Sequence, residues 1–508
     1  MWLPLSLQLF LLLLLLLLLL SVALTCGSYW RRRGVAGPYG FPLVGNMLHF
    51  ALGLRSYGDV YARLYNSYSS LSYVGIYRLF NEPALLLRDQ SIVRELLIGG
   101  HFTHCAENAI HVDVERDVLA AQNPFIACGE HWRKQRGELL PLFTPLRLRQ
   151  TLPHIGAACH QLQKFVAQRK PRELACLEAK ELATRYTLQV VASAVFGLNA
   201  QCLGPFSDDS SRSESHSEWL QLLGPLFQPS SWSLAETIAL LHSPRLVQLM
   251  EYRYVPLDIQ RWLRRQVAGS SSSSSSSKGN TLLNWLRARR DCDIEGHATT
   301  LLLEGYETSA MLLAFALYEL AAHPTEQCQL QSELDAMAAH YDGQLLHPEA
   351  LDALHYAEAT LYETLRLHPA MPALLKRCTE SFVLPPQQPD DAAGAGLLVA
   401  KDTVLIVPVQ AIHLDPAIYP QPLQFQPKRF LQQPQQFGCR FLGFGAGPRM
   451  CPGMRFGLAQ TKAALVTLLQ DYSVELADNC PPMEKSNVTF LTASKAGIWI
   501  RFKCRQAK

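Results

Sequence analysis

The residue in this chain with the clearest chemical potential is Cys451. It closes the run Phe441-Leu442-Gly443-Phe444-Gly445-Ala446-Gly447-Pro448-Arg449-Met450, whose glycines and proline favour a tight backbone loop. Pro452 follows at a position where a helix can begin, since its missing N–H costs nothing there. Residues from Met454 to Leu469 read as that helix. A cysteine at a helix N-terminus, close in sequence to Arg449, has its thiolate favoured by dipole and charge. A thiolate in a loop of backbone donors is what an axial haem-iron ligand requires. The remainder of the 13 cysteines are scattered without a repeating spacing, as buried structural thiols in a reducing compartment would be.

Phe444, Gly447, Arg449, Cys451 and Gly453 match the pattern F-x-x-G-x-R-x-C-x-G, which chance would produce in on the order of one chain in ten thousand. This stretch resembles the haem-binding signature of the cytochrome P-450 family. The resemblance implies haem b, with Cys451 as iron ligand and Arg449 as a propionate partner. It also gives meaning to three weaker motifs. Trp132 and Arg136 fit the family's W-x-x-x-R, in which both side chains reach a haem propionate; their spacing puts them on one helix face. Lys376 or Arg377 is a further propionate candidate. Glu363 and Arg366 fit E-x-x-R, and Arg429, in Gln426-Pro427-Lys428-Arg429-Phe430, resembles the arginine that joins that pair in a structural core.

Leu303-Glu304-Gly305-Tyr306-Glu307-Thr308-Ser309 is similar to the family's oxygen-activation stretch, which assigns Glu307 and Thr308 as catalytic. A hydroxyl beside an acid can hydrogen-bond dioxygen and relay protons. Thr308 can also open the helix by bonding a backbone carbonyl. An earlier look-alike, Glu295-Gly296-His297-Ala298-Thr299-Thr300, falls on the opposite helix face and lacks the acid before its threonine. Glu304 departs from the family's usual Ala or Gly. A buried carboxyl must be neutral, paired or chemically used. In the ω-hydroxylase branch a glutamate here can form an ester with a haem methyl; the alternative is a side chain meeting channel water or a basic neighbour. The second half otherwise looks most like the insect and vertebrate drug-metabolising microsomal clan, as in Val407-Pro408-Val409-Gln410-Ala411-Ile412-His413-Leu414-Asp415-Pro416.

The elements that must position these groups are mostly helical. Helices are expected over Glu173–Phe196, Ala298–His323 and Pro348–Leu367, and strands over Leu71–Leu79, Gly396–Val409 and Ile498–Lys503. The fold class is therefore mainly α with small β-sheets, the cytochrome P-450 fold by resemblance. The chain has 508 residues, 48% hydrophobic and 18% charged, with net charge +3. That composition supports a large core and excludes a mainly disordered protein or a basic nucleic-acid binder.

No charge occurs from Met1 to Trp30, and Leu11–Leu20 is unbroken leucine. Those leucines alone favour bilayer insertion by about 5 kcal/mol. Arg31, Arg32 and Arg33 follow the apolar stretch, the order of a single-pass anchor with a cytosolic body. A cleaved signal peptide is the rival reading, supported by the sequon Asn487-Val488-Thr489. The expected organisation is an anchor over 1–30, a basic, Pro/Gly-rich hinge over 31–46, and a haem-thiolate domain over 47–508 with a flexible serine-rich loop at 270–280.

The resemblance implies an endoplasmic-reticulum monooxygenase that inserts one atom of O2 into a lipophilic substrate. Alternatives are a haem-thiolate isomerase or dehydratase, and a non-catalytic haem-binding or sensor protein. The chain carries no nicotinamide or flavin fingerprint, so electrons would come from a separate NADPH-cytochrome P-450 reductase, with cytochrome b5 a second donor. Arg133, Lys134, Arg440 and Arg455 are candidates for its docking face, and Phe102, Leu301, Ala373, Leu374 and Leu491 for the substrate cavity.

Overall fold

The computed structural model describes residues 7–10, 12–14, 28–204, 217–272, 281–289, 292–388, 396–431 and 434–505. The elements that position the site begin with helix α1 (Tyr57–Ser67), strands β1 (Tyr73–Tyr77) and β2 (Pro83–Leu87), helix α2 (Gln90–Leu97) and strand β3 (Glu107–Asn108). Helices α3 (Gly129–Leu139) and α4 (Pro145–Ala167), strand β4 (Leu177–Glu178), and helices α5 (Ala179–Val191), α6 (Leu257–Ser272), α7 (Ile294–Ala322), α8 (Pro324–His340) and α9 (His355–Leu367) follow. Strands β5 (Leu374–Arg377), β6 (Phe382–Leu384), β7 (Leu397–Val399) and β8 (Val404–Val407) come next, then α10 (Met454–Asp471), β9 (Tyr472–Leu476) and β10 (Trp499–Cys504).

One sheet has the order β1-β2-β8-β5-β3, a second β4-β10-β9, and β6 pairs with β7. Strand β2 runs parallel to β8 with Ala84 opposite Val404, while β5 is antiparallel to β8. The body is thus mainly helical with small sheets, the expected class. Its central element is α7, capped by Asp293, whose carboxylate accepts from Gly296 N at 3.0 Å. It is the described helix long and apolar enough to cross a membrane, yet it is packed inside the body. Being surrounded, it needs no polar face.

Several expected elements are shorter because specific residues interrupt them. The helix expected from Glu173 begins at Ala179: residues 177–178 pair with β10, and Glu178 then caps α5 through Glu181 N. The helix expected over Pro348–Leu367 breaks at Leu354, whose ψ is 78°. The strand expected over Gly396–Val409 divides into β7 and β8 at a turn where Asp402 has φ 68°.

Of the segment read as an anchor, residues 7–10 and 12–14 are helical and exposed; the rest up to residue 27 lies outside the described residues. The body begins before residue 31. Trp30 is 3% exposed and its Nε1 donates to Ile76 O at 2.9 Å. The stretch read as a hinge is docked on β1: a Cβ on Gly37 would collide with the Gly75 carbonyl, and Asn46 Oδ1 accepts from Tyr77 N at 2.8 Å. Within the run read as a flexible loop, Ser270–Ser272 complete α6, and 273–280 lie outside the described residues.

Glu363 and Arg366 form a bidentate pair with both contacts at 2.7 Å and no side-chain exposure. Arg366 also donates to the carbonyls of His413 (2.9 Å), Pro422 (2.7 Å) and Gln424 (3.1 Å). Glu363 Oε1 accepts from Gln426 N at 2.9 Å, and Arg429 Nε approaches it at 3.4 Å. One fork thereby fastens α9 to the segment leading to Cys451. Glu363→Gln leaves a buried guanidinium without its anion and should cost about 3–5 kcal/mol, read as a lowered urea midpoint or loss of soluble folded protein.

Candidate active site

The cysteine loop is held from beneath by a histidine. His413 Nδ1 lies 3.1 Å from Arg366 O, and its Nε2 accepts from Leu442 N at 2.8 Å. Both bonds are satisfied by one neutral tautomer, with the proton on Nδ1. Burial, reinforced by the Arg366 charge, pushes the His413 pKa down to about 3, which keeps the ring neutral. Phe441 stacks on it at 5.3 Å. From Leu442 the chain turns back: Gly445 N donates to Leu442 O, and Cys451 N to Phe444 O at 2.8 Å. Phe444 meets the edge of Tyr362 on α9. Gly447, with φ 69°, passes so close to the Leu97 carbonyl that no side chain fits. Gly453 then caps α10.

Cys451 keeps accessible surface, yet desolvation by its surroundings pushes its thiol up to about 11. The Gly453 N–H and Arg136 oppose that rise, while Glu304 adds to it. This corrects the expectation that Arg449 favours the thiolate. Arg449 turns away, donating to Pro124 O (2.6 Å) and Ala127 O (2.9 Å), with its guanidinium 4.2 Å from the Trp132 ring centroid. Burial therefore favours the neutral thiol, and a bound iron would favour the thiolate.

Beside the loop lies a cluster of cations. Arg136 Nη2 donates to Met450 O at 2.7 Å, and Lys376 Nζ to Asn108 Oδ1 at 2.8 Å. Burial, with Arg449 and Arg136 nearby, brings the Lys376 pKa down to about 7. Among the described residues none of Arg136, Lys376 or Arg449 forms an ion pair; Glu107 and Cys128 act on Arg449 only through space. Trp132 Nε1 and Arg449 Nε are buried without hydrogen-bond partners. Unpaired buried donors beside unmatched cations fit a dianionic group such as a pair of haem propionates. Lys376 and Arg377, adjacent on a strand, face opposite ways, and Lys376 is the buried one.

The middle of α7 lies near the cysteine, since Glu304 acts on the Cys451 thiol through space. Within this buried middle, Glu304, Gly305 and Thr308 keep accessible surface. Thr308 Oγ1 donates to Glu304 O at 2.8 Å. Gln460 of α10 donates to Gly305 O (2.9 Å) and Ser309 Oγ (2.8 Å), while its own carbonyl accepts from Tyr186 OH at 2.9 Å. These bonds fix the helix that follows the cysteine loop against α7. Glu307 points elsewhere, pairing with Lys180 of α5 at 2.8 Å. Lys180 is part-exposed, so the pair links the neighbourhood of Thr308 to solvent. Glu304 Oε1 accepts from Asn123 Nδ2 (2.9 Å) and Tyr254 OH (3.0 Å), and burial raises its pKa. The look-alike Thr299 and Thr300 are buried and bond back to Glu295 O and Gly296 O.

Of the residues read as cavity walls, Ala373 and Leu374 line a narrow cleft together with Phe125 and Phe490. Phe102 packs instead toward Trp132, 6.1 Å between centroids. Leu301 is buried, and Leu491 neighbours the lining Phe490. His413, Gln460, Lys180, Asn123 and Tyr254 escaped the sequence reading. A histidine just before Leu414-Asp415-Pro416 was the one visible signal, and it named no partner.

A family model described as Cytochrome P450 matches residues 35–501. The chain is 58% identical to the probable cytochrome P450 308a1 of Drosophila melanogaster, over 94% of this chain and 95% of that one. It is 30% identical to the probable cytochrome P450 28a5 of the same organism, over 93% and 94% of the two chains. It is 26% identical to cytochrome P450 6k1 of Blattella germanica, over 94% and 93%.

A cation cluster that held propionates would make haem retention pH-dependent. Burial brings the Lys376 pKa down to about 7, and a bound propionate would favour its charged form. Haem loss should accelerate as pH rises above about 7, and Lys376→Met should release haem faster with that dependence reduced. Transfer of haem to a scavenging apoprotein measures both.

Proposed function

The chain belongs to the cytochrome P450 family, whose members are haem-thiolate monooxygenases, and on that premise we propose that it oxidises a lipophilic substrate at a membrane with electrons from a separate NADPH-dependent reductase. The observation that carries the reading is the proximity of Cys451 to the Glu304–Thr308 face of α7, beside buried donors that have no hydrogen-bond partner among the described residues. When bound there, haem supplies the oxidation: one atom of O2 enters the substrate and the other leaves as water.

The residues' own tasks follow from their contacts. Cys451 would be the thiolate ligand, and the Arg366–His413–Leu442 chain keeps its loop from shifting. Arg136, Arg449, Trp132 and Lys376 would hold the propionates. Thr308 can alternate between the Glu304 carbonyl and a molecule in the cleft. The Glu307–Lys180 pair would replenish its proton from solvent. A proton leaving Thr308 Oγ1 is thus replaced without opening the cleft.

For the membrane, support comes from the apolar first segment and from where the body starts. Tyr39, Phe41, Leu43, Leu52 and Leu54 are each about 60% exposed, close in sequence to Arg31–Arg33. Exposed apolar side chains in such number near an apolar leader suit a lipid surface. The body would then face the cytosol of the endoplasmic reticulum, and Asn487, whose side chain donates to Leu54 O at 3.1 Å, would carry no glycan. Arg133, Lys134, Arg440 and Arg455 are all exposed on or near elements that touch the cysteine loop. They would attract an acidic face of the reductase or of cytochrome b5.

Reconstitution with reductase tests the activity: NADPH consumption and product formation should both require it. Thr308→Ala should lower product formation by about 100-fold while the haem spectrum is unchanged. Consumption without any oxygenated product from a broad panel of lipophilic compounds would count against the monooxygenase role.

A further inference from the structure

Resting on the monooxygenase reading, the surroundings of Glu304 say what the cleft selects. Its carboxyl lies on the inner face of α7, one helical turn before Thr308. Both groups bonded to it, the Asn123 amide and the Tyr254 hydroxyl, are neutral, and both reach the same oxygen, Oε1. Among the described residues Glu304 forms no ion pair, and Oε2 has no hydrogen-bond partner. The cations around the cleft are directed elsewhere: Lys180 to Glu307, Lys376 to Asn108, Arg136 to Met450 O, and Arg449 to Pro124 O and Ala127 O. Phe125, two residues beyond Asn123, and Phe490 line a narrow, mainly apolar cleft.

A buried carboxyl half-satisfied by neutral donors is poorly accommodated by the protein alone. A ligand that brings a positive charge and an N–H donor to Oε2 removes that deficit. Asn123 and Tyr254 meanwhile hold Oε1 still, so the open oxygen presents a fixed direction. Lys180 is already paired with Glu307 and forms no ion pair with Glu304 among the described residues.

We infer that Glu304 is a specificity-determining residue of the substrate pocket and that the preferred substrate is a lipophilic molecule carrying a protonated amine. Its ammonium N–H donates to Glu304 Oε2 while the apolar remainder packs against Phe125 and Phe490. Neutral lipophilic molecules of the same shape also enter, and bind more weakly.

The test is equilibrium binding to the haem-loaded full-length protein at neutral pH, followed by the substrate-induced change in the haem spectrum. The probes are a dimethylamino-alkylbenzene and its uncharged isopropyl isostere, which differ in little besides charge. Wild type should bind the amine at least about tenfold more tightly. Glu304→Gln should abolish that preference while leaving the isostere's affinity unchanged, and Glu304→Asp should keep part of it. An equal loss for both probes would assign Glu304 a merely structural clamp and overturn the inference. So would an amine preference that survives Glu304→Gln. Haem that resists acid–solvent extraction in wild type but not in Glu304→Gln would also overturn it, because the carboxyl would then be consumed as an ester. Binding of the neutral isostere to both proteins shows the pocket and its haem intact, so failure of the amine preference remains distinct from failure of the monooxygenase reading.

Discussion

The Arg366 guanidinium is the joint on which the site hangs. Fully buried, it is made tolerable by the Glu363 carboxylate, and it uses its remaining N–H groups on three backbone carbonyls from a distant segment. One of those carbonyls belongs to His413, whose ring returns to Arg366 O and grips Leu442 N. Leu442 opens the turn that ends at Cys451. The position of one sulfur therefore depends on an ion pair that never touches it. The same arrangement explains why the histidine must stay neutral: a protonated ring would lose the Nε2 acceptor that holds Leu442.

Electrostatic imbalance is the second organising feature. Among the described residues, Arg136, Lys376 and Arg449 near the cysteine loop form no ion pair, and Glu304 on α7 pairs with no cation. Evenly matched charges would have paired with each other and closed the space. Here backbone carbonyls and neutral amides hold the groups apart, which leaves each able to meet a ligand of opposite charge. The cysteine follows the same logic, since burial keeps it a neutral thiol until a metal cation makes the thiolate favourable.

What could be read from the sequence was whatever local spacing dictates. Trp132 and Arg136, four apart on α3, do share a face toward the cysteine loop, and Glu363 with Arg366, three apart on α9, do pair. The mainly helical class was legible too, because α7 and α10 carry long apolar stretches. Local spacing says nothing where a backbone turn or a remote partner decides direction. Arg449 is two residues from Cys451, yet the 3-10 turn at Gly447–Arg449 aims it at Trp132. Glu307 neighbours Thr308 in sequence but is drawn off by Lys180, 127 residues away. Asn123 and Tyr254 reach Glu304 across 181 and 50 residues, distances at which no periodicity operates. The Cys202–Asn280 region carried no motif, yet it contributes Tyr254 to the cleft.

The central claim is that Cys451 binds haem iron as a thiolate. The most direct measurement is the absorption spectrum of the reduced, carbon-monoxide-bound protein, with Cys451→Ser alongside. The account predicts a strongly red-shifted Soret band in wild type that disappears in the variant while the fold persists by circular dichroism. A folded wild type without that band, or a variant that retains it, would contradict the assignment.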